Sequence, residues 1–537
     1  MNWNQRRENK NSRLSGIKRR GKQVATDEIV DVLEQILSPG NRVILEGDNQ
    51  KQARFLAQAL GMVDAWRVHD LAMVIPSIED QNQIELFKRG IATSIDFSFA
   101  GPQSHALVEL IDQGKIMVNN IHTYIELYGR LFVDLIPDVA LITAAQADAA
   151  GNLYLAQNTE ETPILVEATA VKSGIVVAQV NEIVDRVPRI DIPTEQVDLI
   201  VKVPEAEKPF PLFTRDPQKI TEDQVMAGML AIKGIYGKYQ VKTLNHGIGY
   251  NTAAIELLLP TFGEQLGLKG KVATNWVNNP TPTLIPAIEA GWIKSIYCFG
   301  GESGMEKYIQ QRPDIFAVDH CQNLKSNRVY AQIAGQYAID MFVGATLQTD
   351  ADGNASTITA NRLSGFGGAP NMGSDPHGRR HLTDSYQQIE SSGKQGRKLV
   401  VQLTTSRRWN HEPVFVDQLD AWKLKNRLAV DPIMIYSEDT THIVSENGIA
   451  NLYKTDSPTE RRQAIAAIAG DTMVGQKCSE KERQVLRERG IVQAPQDLGI
   501  HRQEATRNLL AAQSIDELVK ISHGLYRPVK KEGVTKQ

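Results

Sequence analysis

The feature that most constrains this chain is that it repeats itself. Gly47 in VILEGDNQKQARFLAQAL answers Gly247 in KTLNHGIGYNTAAIELLL, each a strand-like apolar run, then a glycine with a polar turn, then an amphipathic helix. The two glycines lie about 200 residues apart, and two further matches keep nearly that spacing: RGIATSIDFSFAG (89–101) with AGWIKSIYCFGG (290–301), and DAAGN (148–152) with DADGN (350–354). Three ordered matches at one spacing imply two copies of one α/β domain, a pseudo-twofold pair with a cleft between them. Within each copy, runs such as RVILEG, DVALITAAQ, GIVVAQVN and KLVVQL alternate with helical patterns, which favours an open α/β sheet. Ligands of such sheets settle outside the carboxyl ends of the strands, so Gly47, Gly247 and Gly249 mark the expected crevices.

The repeat divides the 537 residues. A basic segment, 1–23, carries Arg6, Arg7, Lys10, Arg13, Lys18, Arg19, Arg20 and Lys22 and is expected to be a mobile tail. The first α/β domain then covers 24–215 and ends in the proline-rich, charged linker KVPEAEKPFPLFTRDP. The second covers 216–455, and 456–537 is expected to form a helical cap. The net charge of −4 argues against a general nucleic-acid binder. No apolar run approaches the roughly 20 residues that span a bilayer, and the N-terminus lacks a signal peptide's apolar core, so the expectation is a cytoplasmic protein. Cys298, Cys321 and Cys478 lack C-x-x-C spacing and indicate neither a disulfide framework nor a zinc site.

One loop of the second copy stands out chemically. LSGFGGAPNMG (363–373) crowds Gly365, Gly367, Gly368 and Gly373 around Phe366, a composition that lets backbone amides approach a ligand and stabilise a developing oxyanion. A plain turn is the simpler reading of the same glycines. LNHGIGYN resembles half of a dinucleotide fingerprint but lacks the full G-x-G-x-x-G pattern, which disfavours a nucleotide cofactor. G-x-S-x-G in a strand-turn-helix setting is absent, which sets aside a serine hydrolase.

The tandem domains together with NHGIG (245–249), CFGGE (298–302), SGFGG (364–368) and VSENGIANLY (444–453) resemble the CoA-transferase superfamily over nearly the whole chain. Within it, LEGDNQKQARFLAQAL, FSFAGPQS, IHTYIELYGRLFVDL, LFTRDP, AAIELLLP, NPTPTLIPAIEAG and GFGGAPNMG are most similar to the malonate decarboxylase α-subunit family. The resemblance implies two CoA-transferase-like open α/β domains and a transferase that exchanges acetate for malonate on the thiol of an acyl carrier protein. It also implies, as partners, that carrier with its phosphopantetheine-type prosthetic group and the subunits that decarboxylate malonyl-carrier. No cofactor or metal is implied on this chain. A citrate:carrier transferase like the citrate lyase α subunit is the alternative, and a non-catalytic scaffold subunit is another.

CoA transferases form a covalent intermediate on a glutamate that follows the GIG turn by a few tens of residues. Here that stretch reads KVATNWVNNPTPTLIPAIEAG, with Asn275 at the expected position and no Asp or Glu from Lys271 to Ala287. Glu446 in SENG and Glu302 in GGESG are the remaining candidates, each also readable as structural. Without a protein nucleophile the expected chemistry is direct: a malonate carboxylate attacks the acetyl thioester, the oxyanion rests on amides near Gly367 and Gly368, and a mixed anhydride is reopened by the returning thiolate. Expected substrate contacts are Asn245, His246, Gly247, Gly249 and Asn275, with Arg362 and Arg379 as cations for the dianion. Arg380, Asn278 and Asn279 are neighbours of the same kind. His377 and His381 have i, i+4 spacing but no third ligand.

Overall fold

The computed structural model describes residues 3–156, 160–318, 320, 324, 327–374 and 398–529. Strands of the first copy are β1 (Gln23–Val24), β2 (Arg42–Leu45), β3 (Leu71–Ile78), β4 (Ala92–Ala100), β5 (Met117–Ile121), β6 (Val139–Asp148), β7 (Leu153–Tyr154), β8 (Ile175–Val184) and β9 (Leu199–Lys202). They form one sheet in the order β1-β9-β8-β6-β2-β3-β4-β5, with β7 paired antiparallel to β6. From β2 the chain winds outward to β3, β4 and β5 on one side and to β6, β8 and β9 on the other, so the strand order reverses between β2 and β6.

The second copy repeats this plan. Its strands are β10 (Thr243–His246), β11 (Asn275–Asn278), β12 (Ser295–Cys298), β13 (Met341–Gly344), β14 (Gln348–Asp350), β15 (Ala355–Ser356), β16 (Leu399–Leu403), β17 (Phe415–Val416), β18 (His442–Ser445), β19 (Gly448–Asn451) and β20 (Val492–Gln493). The main sheet runs β12-β11-β10-β13-β16-β18-β19-β20, and β15-β14-β17 form a small separate sheet. Here the order reverses between β10 and β13. Gly47 and Gly247 follow β2 and β10, so the two repeated glycines sit at equivalent reversal points, where an open parallel sheet leaves a crevice.

The repeat extends to single hydrogen bonds. In the DAAGN turn Asp148 Oδ1 accepts from the amides of Ala150 (3.1 Å) and Asn152 (2.9 Å), and Asn152 Nδ2 donates to Oδ2 (3.0 Å). In DADGN, Asp350 Oδ1 accepts from the amides of Asp352 (3.0 Å) and Asn354 (2.9 Å), and Asn354 Nδ2 donates to Oδ2 (2.9 Å). Each asparagine carbonyl then accepts a later backbone amide, Thr194 in one copy and Ser437 in the other. The aspartate is retained because its two oxygens close the turn's own donors.

Three sequence expectations are corrected. The basic segment is not a mobile tail: Trp3–Leu14 is a helix whose Arg6, Lys10 and Arg13 are engaged by the first domain. Arg6 donates to Asp138 (3.1 Å) and to the Pro137 carbonyl (2.7 Å), Lys10 pairs with Asp198 (2.8 Å), and Arg13 donates to the Ile36 carbonyl (2.9 Å). Asp138 and Asp198 each lie just before a strand, so the segment neutralises charge at the amino ends of β6 and β9. The C-terminal residues are not only a helical cap either. Beside the helices Pro458–Ile468 and Glu480–Glu488 they supply β20, which pairs antiparallel with β19, and Leu518 and Tyr526 enter the second domain's core.

The third correction concerns the glycine loop. It lies in an excursion of the second copy that is seated on the first: Gly365 bridges Phe99 of β4, and Gly367 bridges Thr123. The amides of Phe366 and Gly367 both donate to the Ser98 carbonyl at 2.8 Å, and Ala100 N–H donates to the Ser364 carbonyl at 2.8 Å. Gly365 has φ +72°, and a Cβ there would lie 2.4 Å from Ser98 O, so glycine is required for close approach of two backbones rather than of a ligand. Phe366 and Leu363 join Phe97 and Ile121 in one buried cluster, which makes the domain interface continuous with the first core.

Candidate active site

The first copy's reversal point opens into a cavity of about 150 Å³ between the domains. Its floor is the turn after β2. Glu46 is fully buried there and accepts from the Thr143 amide midway along β6 (2.7 Å), from Lys51 Nζ (3.1 Å) and from the Thr162 hydroxyl. Asp48 Oδ1 accepts from the amides of Gln50 (2.6 Å) and Lys51 (2.5 Å), folding the turn so that Lys51 faces the cavity. Gly47 permits the turn, since a Cβ would lie 2.3 Å from the Ser77 carbonyl. Thr143, Ala144 and Ala145 form one wall, small enough to leave room above the lysine.

The other wall comes from the interdomain linker and the second copy. The Asn181 side chain on β8 holds the Glu207 backbone at both ends: Nδ2 donates to the Glu207 carbonyl (2.7 Å) and Oδ1 accepts from the Glu207 amide (2.8 Å). Glu207's carboxylate accepts from the Phe55 amide (3.0 Å) and from Gln179 Nε2 (2.8 Å), while burial pushes its pKa up. Glu302, in the loop after β12, accepts from Gln50 Nε2 (2.5 Å) and from the Leu212 amide (3.1 and 3.2 Å to its two oxygens). Burial pushes it up to about 8 against the pull of these bonds and of the Arg215 charge. Thus the GGE motif delivers an acid across the cleft to the first copy.

Beside the cavity a buried charged layer clamps the domains. Arg328, at the start of the helix Arg328–Ala338, pairs with Glu160, lies 3.7 Å from Glu161 and covers the Tyr124 ring at 4.2 Å from its centroid. Glu161 also accepts from the Tyr128 hydroxyl (3.0 Å); burial, with Asp48 and Glu46 nearby, raises its pKa well above the ordinary value. Breaking such a buried pair by removing one partner typically costs about 3–5 kcal/mol.

The second copy's crevice is almost filled, with about 10 Å³ left. That is close to the space one water needs. His246, Gly247, Gly249, Asn278 and Asn279 do converge on it, but as a satisfied polar core. His246 has both ring nitrogens engaged, with Glu256 Oε1 at 3.0 Å and the Tyr236 hydroxyl at 2.6 Å. Thr281 donates to the same glutamate at 3.2 Å, as does Thr283. Asn245 Nδ2 donates to the Val277 carbonyl at 2.5 Å, and the Gly247 amide donates to the Val343 carbonyl at 2.8 Å.

Of the other expected contacts, Asn275 is at the wrong end of its strand. It opens β11 and accepts from the Ser295 hydroxyl (2.9 Å), whereas the carboxyl end that reaches the crevice carries Asn278 and then Asn279. The stretch without carboxylates therefore does supply the crevice, through residues three and four positions later. Arg362 is bridged to Thr359 and lies near Arg408 and Glu79, outside the cavity lining. Arg379, Arg380, His377, His381 and Cys321 lie outside the described residues. Glu446 closes the hairpin between β18 and β19, accepting from the Ser406 amide (2.9 Å), the Ser406 hydroxyl and Asn447 Nδ2 (3.0 Å), a structural set of partners. Lys51, Thr143, Asn181 and Glu207 were not singled out from sequence. The repeat held the signal for Lys51, because Gly47 marks a reversal point as surely as Gly247 does.

The two open α/β copies agree with the fold of the solved structures that this chain resembles. The model of the malonate decarboxylase alpha subunit, described as a transporter, matches residues 2–533. The chain belongs to the malonate decarboxylase α-subunit family. A relative in this family, the acetyl-S-ACP:malonate ACP transferase of Malonomonas rubra, is 50% identical over 522 residues, covering 94% of each chain. A crystal structure of a Pseudomonas malonate decarboxylase hetero-tetramer in complex with malonate superposes with a TM-score of 0.96 at 50% identity and 99% coverage of both chains. The putative citrate lyase α subunit of Streptococcus mutans, in complex with citrate, superposes at TM-score 0.61 with 16% identity, covering 87% of this chain and 86% of that one, and shares the fold alone. Like its family, the chain is a transferase subunit of CoA-transferase fold. Among the described residues no helix is long and apolar enough to cross a membrane.

Proposed function

We propose that this chain exchanges acetate for malonate on the thiol of an acyl carrier protein, in the cavity between its two copies. The observation that carries this reading is the cavity's lining. Lys51 presents a nearly buried ammonium, whereas Glu207 and Glu302 are each held by two donors, leaving neither poised as a nucleophile. One malonate carboxylate attacks the acetyl thioester; the oxyanion forms beside Lys51 and collapses as the carrier thiolate leaves. The mixed anhydride stays bound. The thiolate then attacks its malonyl carbonyl, acetate departs, and the proton count is unchanged throughout.

Lys51 replaces the glycine-loop amides in this scheme because two of those amides are already bonded to Ser98. A preorganised cation in a water-poor site is worth far more than in bulk water. The narrow wall of Ala144, Ala145 and Gly301 suits an extended thiol arm, here the carrier's phosphopantetheine-type prosthetic group. The reading places the chain in the cytoplasm, working with the carrier and with subunits that decarboxylate malonyl-carrier.

The test is to incubate the purified chain with acetyl-carrier and either malonate or citrate, then to weigh the carrier. Malonyl-carrier is expected with malonate alone; conversion only with citrate would overturn the substrate. Borohydride added during turnover distinguishes the mechanisms. A thiol-loaded glutamate reduced on this chain would overturn direct exchange.

A further inference from the structure

Glu302 has a place in this cavity that oxyanion chemistry leaves unexplained. It is 1% exposed and makes no ion pair among the described residues. Its Oε2 takes the short bond from Gln50, and Oε1 has only the Leu212 amide, which it shares with Oε2. An ionised carboxylate so placed would be buried with neutral donors and no cation in contact, an arrangement that costs several kcal/mol. A carboxylic acid with its proton on Oε1 has no such cost and leaves one O–H to donate.

Resting on the exchange reading above, we infer that Glu302 recognises the second carboxylate of the diacid as a neutral carboxylic acid, donating a hydrogen bond from Oε1 to the carboxylate that does not react. The substrate is thereby a dicarboxylate: a monocarboxylate such as acetate lacks the group that Glu302 holds, and so leaves after each exchange. No proton is transferred, and the acid returns unchanged.

The groups that face Glu302 come from every side. Glu306, which opens the helix that follows, raises its pKa; Arg215 from the linker lowers it; Tyr526 from the C-terminal segment lies within electrostatic reach; Gln50 of the first copy donates to it; and Lys51 of the first copy, with Lys208 and Glu207 of the linker, completes the cavity. Burial outweighs the lowering influences and sets the acid at about 8. A carboxyl raised in this way is a donor below that pH and an anion repelling malonate above it.

The experiment uses the full chain, with acetyl-carrier, as wild type, Glu302→Gln and Glu302→Ala, and follows KM for malonate across the alkaline range. In the wild type KM rises about tenfold per pH unit above about pH 8, as one proton is lost. Glu302→Gln, an uncharged donor of similar shape, removes that rise, and Glu302→Ala raises KM at every pH. Infrared difference spectra of the malonate-free chain at neutral pH should show a protonated-carboxyl band that Glu302→Gln abolishes. A wild-type pH profile in Glu302→Gln, or no such band, overturns the inference. If the band is present but KM responds neither to Glu302→Gln nor to Lys51→Met, the cavity is not the exchange site and the reading beneath the inference fails instead.

Discussion

The two copies of one domain have taken their equivalent crevices in opposite directions. After β2 the sequence EGDNQK gives a buried ammonium facing an open cavity; after β10 the sequence HGIGYN gives a histidine locked between Glu256 and Tyr236 in a space for one water. The same backbone turn thus serves binding in one copy and cohesion in the other. What differs is what each side chain at the reversal point faces. His246 is enclosed between Glu256 and Tyr236 of its own copy. Lys51 pairs with Glu46 and Thr162 and also lines the cleft.

The comparison breaks most sharply at His246. His246→Ala leaves Glu256 buried with the threonine hydroxyls alone, and the expected loss is about 3–5 kcal/mol of stability in denaturant unfolding. Exchange per folded molecule should change little. A large loss of exchange in a fully folded variant would move the chemistry to the second crevice. Lys51→Met is the mirror experiment. It should lower kcat/KM for exchange about 10²- to 10³-fold, in line with loss of one oxyanion donor. Unfolding is expected to shift about as much as in His246→Ala, because Glu46 loses its cation and keeps the Thr143 amide and the Thr162 hydroxyl, as Glu256 keeps its two threonine hydroxyls.

The loop between the copies comes next in size. Gly365→Ala forces a Cβ against Ser98 O at a positive φ and should destabilise by about 1–3 kcal/mol. At Gly367, φ +59°, a Cβ would meet nothing nearer than Tyr124 at 3.6 Å, so Gly367→Ala pays only for the left-handed backbone, about 1–2 kcal/mol. If Gly367→Ala instead abolished exchange while unfolding normally, the loop would regain the oxyanion role that its bonds to Ser98 argue against.

Much of the architecture was legible because a repeat is a long-range statement written locally: three matched segments place the reversal points, the paired aspartate turns and the cleft. The glycine loop's partners were not legible for the complementary reason. Whether an amide faces a ligand or a carbonyl depends on Ser98, hundreds of residues earlier, and composition carries no trace of that pairing. Arg6, Lys10 and Arg13 look unpaired for the same reason, since Asp138 and Asp198 reach them only through the folded sheet. Asn275 failed by register alone. A carboxylate-free stretch can be recognised without knowing where its strand begins, but a site residue cannot, because the two ends of the four-residue β11 present different residues, Asn275 and Asn278.

The smallest contrast lies in the twin turns, and it tests whether identical hydrogen bonds imply identical energetics. At Asp148 burial pushes the pKa up, but the donors of Asn152, Gly151 and Ala150 together outweigh it and leave the carboxylate below its ordinary value. At Asp350 burial prevails over the equivalent donors, and Asp352 adds repulsion, leaving it above. The signs then differ. Asp148, depressed in the fold, contributes stability that is present above its unfolded pKa and lost as pH falls through the folded value; Asp350, raised, opposes folding once ionised and ceases to do so as pH falls. At neutral pH Asp148→Asn should therefore cost on the order of 1 kcal/mol, as charge-assisted bonds become neutral ones, while Asp350→Asn should cost less. Urea unfolding of both variants at neutral and acid pH reads the difference directly. Equal losses at neutral pH would mean that the turns are energetic as well as geometric copies, and that the divergence of the two domains is confined to their crevices.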